Sequence, residues 1–502
     1  MTEMRKTLIT LIIMTGLLPA LASARERAQA PAAERLTAAE LEATLAEMDL
    51  PALYFNMKNG EDPDFDLLFP PEGCGGASIT NNEYVEGALT ISRLGETYYE
   101  SGEYVKKESG VRLKVRGNTS ANWDGKKSSK PGYKIKLSKK ANILDCWPDA
   151  PKSKDWVLVT ANNTDLNIQA GFELGRICGL GWQPRGVYVN VVLNGKYRGV
   201  YFLCEAISGE EGRAAIEDTG YIIEDDPYWW KPDEVYFKSR HIPASLGWTF
   251  KEPDTDDFEE NTLSNIQWAV SILEDALYND KPTDALIDFR SFACWVLAHD
   301  IMNTIDPAGS NIYLIKDSFS HLTPFETPFR MGPLWDLDTS FSRESEEFSP
   351  VHGSDVYYFR ELFRIPEFQQ EYKEQWNSIA PTLAATFMER VKSQLALNEG
   401  LDDARALENR LKGRGYTEKE ICLKNLEEWI AGRVKTLDRL INGGSGIDEV
   451  ETDRDTDGYG YGAGLPAGSA TYTVGGVRVS GNATAKGILV SSDGRRILRR
   501  GE

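Results

Sequence analysis

Asp306-Pro307-Ala308-Gly309-Ser310-Asn311 and, beginning 23 residues after that asparagine, the run Leu334-Trp335-Asp336-Leu337-Asp338 decide how the rest of this chain is read. Each borders an apolar run of strand type, so its polar side chains fall at the mouths of a hairpin and not inside it. Upstream, Asp288 to Ile305 carries Phe289, Phe292, Trp295, Val296 and Met302 and reads as a long buried helix. Ile312 to Ile315 reads as a strand and Phe329 to Trp335 as its return. In that frame Asp306 is placed to orient or deprotonate a hydroxyl, Asn311 to hold a divalent ion through its amide oxygen, and Asp336 to hold an ion that bridges phosphates. Asp336 and Asp338 follow at period two, which puts both on one face of an extended segment. Carboxylates converging near an amide oxygen suit a hard cation such as magnesium, which prefers few carboxylates plus phosphate and water. The plain alternative is a loop whose Asp, Gly and Asn supply turn geometry, with the later pair a solvated strand end.

Composition narrows the classes. With 502 residues, 41% of them hydrophobic, and 12 Trp, the chain can bury at least one large core. A formal charge of −21 and an isoelectric point near 4.9 exclude the basic footprint of a nucleic-acid binder. Lys and Arg are nevertheless dense between Lys106 and Lys140, where an anion would be held. Arg5 and Lys6, the apolar run Leu8 to Leu18 and Ala22-Ser23-Ala24 together read as a secretory signal over residues 1–24. Cleavage near Ala24 would place the chain in the periplasm, at the cell surface or in the medium. No later run of about 18 apolar residues is present, so no transmembrane segment is expected in the mature chain. Six cysteines lack C-x-x-C spacing and four histidines are scattered, which argues against a zinc site. Cys178, Cys204 and Cys294 sit in apolar surroundings and read as buried small hydrophobes.

Residues 25–77 form a lead-in and a first β segment. Val111-Arg112-Leu113-Lys114-Val115-Arg116 alternates cleanly, as does Tyr133-Lys134-Ile135-Lys136-Leu137, and Asn194-Gly195 between two apolar runs is a strong hairpin signal. Helical patterns follow at Leu166 to Cys178, Asn261 to Tyr278, Asp288 to Ile305, Tyr357 to Ile365 and repeatedly between Ser378 and Leu440. Residues 441–470 are Gly- and Asp-rich and read as a linker, and 471–502 alternate as a small β tail.

Taken together, five ordered motifs resemble the spore coat protein H (CotH) kinase family. They are Arg116-Gly117-Asn118-Thr119-Ser120, Lys130 with Tyr133 to Leu137, Leu193 to Tyr201 leading to Glu205, Asp306 with Asn311, and Pro333 to Asp338. The resemblance covers residues 78–440. It implies an α+β, atypical protein-kinase-like fold with a β-rich N-terminal part and a helix-rich C-terminal part, to which the small β tail is added. It further implies binding of ATP with Mg2+ or Mn2+ and transfer of phosphate to Ser or Thr of a protein or peptide acceptor. Carried over by position, Asp306 is the catalytic residue, and Asn311 and Asp336 are metal residues with Asp338 as a second carboxylate. Lys130, Lys134 or Lys136 would contact the phosphates, with Lys136 favoured over Lys130. Arg116 opens the turn over the nucleotide, and Glu205 would pair with the nucleotide lysine or face the adenine. Two features depart from the family pattern: Asp165 is followed by Gln169 and Ala170 where an Arg is usual, and the hairpin after Asn311 carries an insertion with Pro324, Glu326 and Pro328. The tail is similar to the short C-terminal tails of Bacteroidetes exported proteins, which serve in sorting or attachment. Two other readings remain at this point. One is a non-catalytic surface or adhesion protein that keeps the fold. The other is a two-carboxylate glycoside hydrolase with Trp229 and Trp230 beside Asp225 and Asp226.

Overall fold

The computed structural model describes residues 35–443, except 72–73, 75–76, 124, 233, 306, 321, 323–325 and 347–357, together with four short strands of the tail. The alternating N-terminal strands build an eight-stranded sheet in which Ala52–Met57 pairs both with Gly186–Leu193 and with Val85–Arg93. That double pairing closes seven strands into a barrel and leaves Glu96–Glu100 appended at the side. Alternation dictates what fills it: Phe55, Leu89, Leu113, Ile135, Trp156, Leu158, Val189 and Leu203 point inward and form one sealed core. Asn194 and Gly195 both take positive φ, 51° and 72°, so the hairpin turn has the twist that the flanking strands need.

The barrel exterior is not all solvent. Helix α1 (Ala38–Ala46) begins in a Thr37/Glu40 capping box, and α2 (Asn167–Ile177) is buried over nearly its whole length. Val157, Phe202 and Cys204, on the outer face of the barrel, belong to a second, larger core that continues into the C-terminal part. Within that part lies an antiparallel sheet ordered Tyr236–Phe237, Gly247–Glu252, Tyr221–Asp226, Tyr313–Lys316, Phe329–Met331. Against it lie α3 (Thr262–Tyr278) and α4 (Phe289–Met302), with α5 (Phe359–Leu362) on α3, α6 (Pro366–Ile379) and α9 (Lys419–Asn442) on α4, and α7 (Leu383–Leu395) between α2 and α9, while α8 (Leu401–Lys412) packs on the barrel strand Lys196–Glu205. Every residue of α4 from Phe292 to Met302 is buried, which makes it the central helix. The tail strands Thr471–Thr473, Arg478–Val479, Gly487–Ser491 and Arg496–Arg499 pair as a separate small sheet. Among the described residues no helix is long and apolar enough to cross a membrane, and the six cysteines are unbridged.

Two details depart from the sequence reading. The helix-rich C-terminal part holds strands that the sequence reading did not single out: Tyr221–Asp226 pairs with Tyr313–Lys316 of the hairpin after Asn311 and, on its other edge, with Gly247–Glu252. Nor does the return strand run on to Trp335: it ends at Met331.

Candidate functional site

Helix α4 stops at Asn303, which adopts the left-handed conformation (φ 50°, ψ 45°) and releases the chain into the loop that carries Asn311. That loop is pinned from below by Asp225, a fully buried carboxylate at the end of its strand. The Gly309 N–H donates to Asp225 Oδ2 at 2.7 Å and the Ile312 N–H donates to Oδ1 at 2.9 Å. The neighbouring Asp226 accepts from the Tyr228 N–H at 2.7 Å and from Thr249 Oγ1 at 3.3 Å. Asn311 thus sits between two anchored residues, 2% exposed, with its side chain bonded to Asp336. The Asp225–Asp226 pair fastens backbone and does not line a sugar groove; beside it, Trp229 packs on Tyr236 with ring centroids 4.8 Å apart and donates to the Ser245 carbonyl.

The second arm of the site is shaped by α2. Gln183 Oε1 accepts from the Leu334 N–H at 3.0 Å, and Trp335 lies between Phe172 and the Arg116 guanidinium, 6.2 and 5.4 Å away. Asp336 then adopts φ 56°, ψ 57°, and Leu337–Thr339 close a 3-10 turn. The sequence placed Asp336 and Asp338 on one face of an extended segment; the left-handed Asp336 corrects that, since it ends the extension and turns Leu337 into the core. A Cβ on Gly171 would stand 2.7 Å from Leu337 Cδ1, so α2 approaches the turn as closely as it does only because position 171 is glycine. Asn167, at the start of the same helix, donates to the carbonyls of Asp338 at 3.1 Å and Ser340 at 2.7 Å.

Electrostatics follow from this crowding. The Asp336 side chain is open to solvent while protein surrounds it on most sides, which describes the floor of a cleft. Burial pushes its carboxyl above the usual range, and Arg116 and the Asn311 amide pull it back. Asp338 is pushed up to about 6, by burial first and then by the charges of Asp336 and Asp165. Asp165 is itself raised, chiefly by burial. Carboxylates that disfavour one another's charge in one cleft are the environment that a cation relieves. Among the described residues no three His, Cys, Asp or Glu form a ready cage. A magnesium site seldom has one, since it draws on one or two carboxylates with phosphate and water, and the oxygen donors of Asn311, Asp336 and Asp338 fit that chemistry.

The structure distributes the other expected residues unevenly. Asp306 lies outside the described residues. Arg116 faces the site, and Lys134 and Lys136 share its outer face of the barrel, Lys134 with Asp155 3.4 Å away. Lys130 is drawn elsewhere: its ammonium, 4% exposed, meets both Glu408 oxygens at 2.9 Å and the Ala161 carbonyl at 3.2 Å. Glu408 also holds Arg414 at 3.0 Å and the Val200 N–H at 2.8 Å, so Lys130 clasps α8 to the barrel. Glu205 is likewise engaged, accepting from Arg185 Nη2 at 2.8 Å and Nε at 2.9 Å and from Trp182 Nε1 at 3.2 Å. Both corrections have one cause, a buried charge taking the nearest opposite partner. Sequence reasoning missed Asn167 and Gly171 and gave Asp225 only a sugar-groove role; the Gly171/Gly175 spacing on one helix face was the available signal for the close approach. Gln169, at the position that departs from the family pattern, is 3% exposed and neither of its amide atoms has a hydrogen-bond partner.

No curated protein matches the sequence. Among solved structures, a crystal structure of the Helicobacter pylori proinflammatory kinase CtkA is similar at 11% identity and a TM-score of 0.31, the likeness covering 62% of this chain and 94% of that one. The family model described as CotH kinase protein matches residues 113–437, well over half of the chain. The chain therefore belongs to the CotH kinase protein family.

Proposed function

We propose that this protein is an exported ATP-dependent phosphotransferase that phosphorylates Ser or Thr of secreted or surface proteins. The observation that carries the reading is the pairing of Asn311 with Asp336 beneath Arg116, on two arms that separate elements hold in place. Family membership supplies the kinase class. ATP would enter between the barrel and the C-terminal part, its phosphates toward Arg116 with Lys134 and Lys136 on the same outer face. A bound Mg2+ or Mn2+, held by Asn311, Asp336 and Asp338, would neutralise phosphate charge. Asp306 aligns the acceptor hydroxyl and takes its proton as that oxygen bonds to the γ-phosphorus, while the bond to the β-phosphate oxygen breaks and ADP leaves. Such a reaction asks the protein mainly for positioning and charge neutralisation. Placement outside the cytoplasm rests on the reading of residues 1–24, which lie outside the described residues.

The test is phosphate transfer from labelled ATP to a Ser/Thr peptide mixture by the mature chain, with folded Asp306→Ala and Asp336→Ala variants alongside. Transfer lost in both variants supports the reading. Transfer at the wild-type rate in either variant contradicts the assigned roles.

A further inference from the structure

The outer face of two neighbouring barrel strands carries like charge in register. Arg112 stands opposite Lys136 and Lys114 opposite Lys134, and Arg116 closes the row beside Trp335. Directly opposed like charges destabilise an antiparallel pair, and here two such pairs follow each other in a chain whose net charge is −21. Carboxylates on the flanking strands offset them in part, and least at Lys114 in the middle of the row. Lys134 has Asp155, whereas among the described residues no carboxylate lies within ion-pair distance of Arg112, Lys114 or Lys136. Glu86 stands directly opposite Arg112 and Asp155 directly opposite Lys136 on the two flanking strands, and Glu83, beside Lys114, and Asp254, beside Tyr84, are further acidic neighbours. Across the cleft Lys231 adds to the positive field, and Lys114 is held below the usual lysine range by burial first and then by Lys134, Lys231 and Lys136 together.

The shape of the row restricts what can occupy it. Both Arg112 and Lys114 lie over the Tyr84 ring, 4.9 Å from its centroid, so the aromatic surface is already covered by cations and offers no slot for a base. From Arg116 to Arg112 the strand advances about 14 Å, the span of roughly four residues of extended chain. The row therefore leads away from the phosphates expected at Arg116 and matches a polyanion laid along the barrel.

We propose that this ladder docks an acidic, extended segment of the acceptor polypeptide, whose carboxylates meet Arg112 and Lys114 while its hydroxyl residue reaches the cleft at Asp336. The proposal rests on the phosphotransferase reading for its meaning, and its test separates the two. Fluorescence anisotropy of a labelled glutamate-rich peptide containing one serine is measured with the mature chain, with an equally long lysine-rich peptide as control. An Arg112→Gln/Lys114→Gln variant is compared, and the thermal shift caused by Mg2+ and ATP is recorded on the same samples. The expected result is salt-sensitive binding of the acidic peptide alone, weakened about tenfold or more in the variant, with the nucleotide shift kept. If the double variant does not fold, Lys114→Gln alone carries the comparison. Absent peptide binding, binding unaffected by the substitutions, or loss of the nucleotide shift in the variant overturns the proposal, the last because it would make the ladder part of the nucleotide site. Peptide binding by a wild-type protein that shows no nucleotide shift would sustain the docking surface and sink the phosphotransferase reading.

Discussion

Replacing Asp225 by Asn removes one charge and almost no volume, and its consequences can be worked from two hydrogen bonds. The carboxylate accepts from Gly309 and Ile312 at 2.7 and 2.9 Å in a fully buried position. Charge-assisted bonds of this kind contribute about 1.5–3 kcal/mol each, and a buried donor left without an acceptor costs about 1–3 kcal/mol. An amide can satisfy one of the two N–H groups through its oxygen, but it turns its own NH2 toward the other. Asp225→Asn is therefore expected to cost about 2–4 kcal/mol, one charge-assisted bond exchanged for a weaker one and one donor orphaned. Because the freed segment carries Asn311, the loss should also reach the cleft. Urea unfolding measures the first effect and the thermal shift with Mg2+ and ATP the second. A variant that unfolds at the wild-type midpoint, or that binds Mg2+ and ATP as wild type does, would refute the assignment of Asp225 as the fastener of this loop.

Gly171→Ala should act at a distance through packing. A Cβ 2.7 Å from Leu337 Cδ1 must displace the turn by about 1 Å, so overpacking of roughly 1–3 kcal/mol outweighs the helix propensity gained, and transfer activity should fall by up to about 100-fold. Glu408→Gln leaves Lys130 without its buried carboxylate and is expected to lower stability by about 3–5 kcal/mol in urea while sparing nucleotide affinity. The Asp338 carboxyl gives a pH dependence. Its folded pKa of about 6 lies above the ordinary 3.8, so the folded state keeps the proton between those values and this group's contribution to stability is lost as pH rises through that window. Without divalent cation the melting point of wild type should accordingly fall relative to Asp338→Asn from pH 4 to pH 7, while Mn2+ affinity climbs over the same range. A flat difference between the two proteins would contradict the crowding of carboxylates described here.

Local pattern made much of this legible. The alternation of Val111–Arg116 and Tyr133–Leu137 identified the inward residues correctly, and Asn194-Gly195 identified its hairpin, because period and turn chemistry are properties of a few adjacent residues. The order Asn311, hairpin, Asp336 likewise corresponds to two side chains that meet. What the sequence could not show depends on pairing over long separations. Closure of the barrel rests on Ala52–Met57 meeting Val85–Arg93 and Gly186–Leu193, and no local signal specifies that contact. Lys130 was read as a candidate phosphate contact because its partner, Glu408, is 278 residues away. Glu205 was misread for a different reason: its guanidinium partner, Arg185, lies beside it at the open end of the Asn194-Gly195 hairpin, and the register that brings the two together was not drawn. Asp336 and Asp338 appeared extended because period two is the default reading of an apolar-polar run, and only the close packing of Leu337 on Gly171 shows why the chain turns there.

The central claim is that Asn311 and Asp336 form a metal-dependent nucleotide site. Its most direct test is thermal unfolding of the mature protein with and without Mg2+ and ATP, in wild type and in a folded Asp336→Ala variant. Ligand at about 100 times its dissociation constant should stabilise wild type by about 2.7 kcal/mol, raising the midpoint, and should leave the variant unmoved. No shift in wild type, or an equal shift in both proteins, would contradict it.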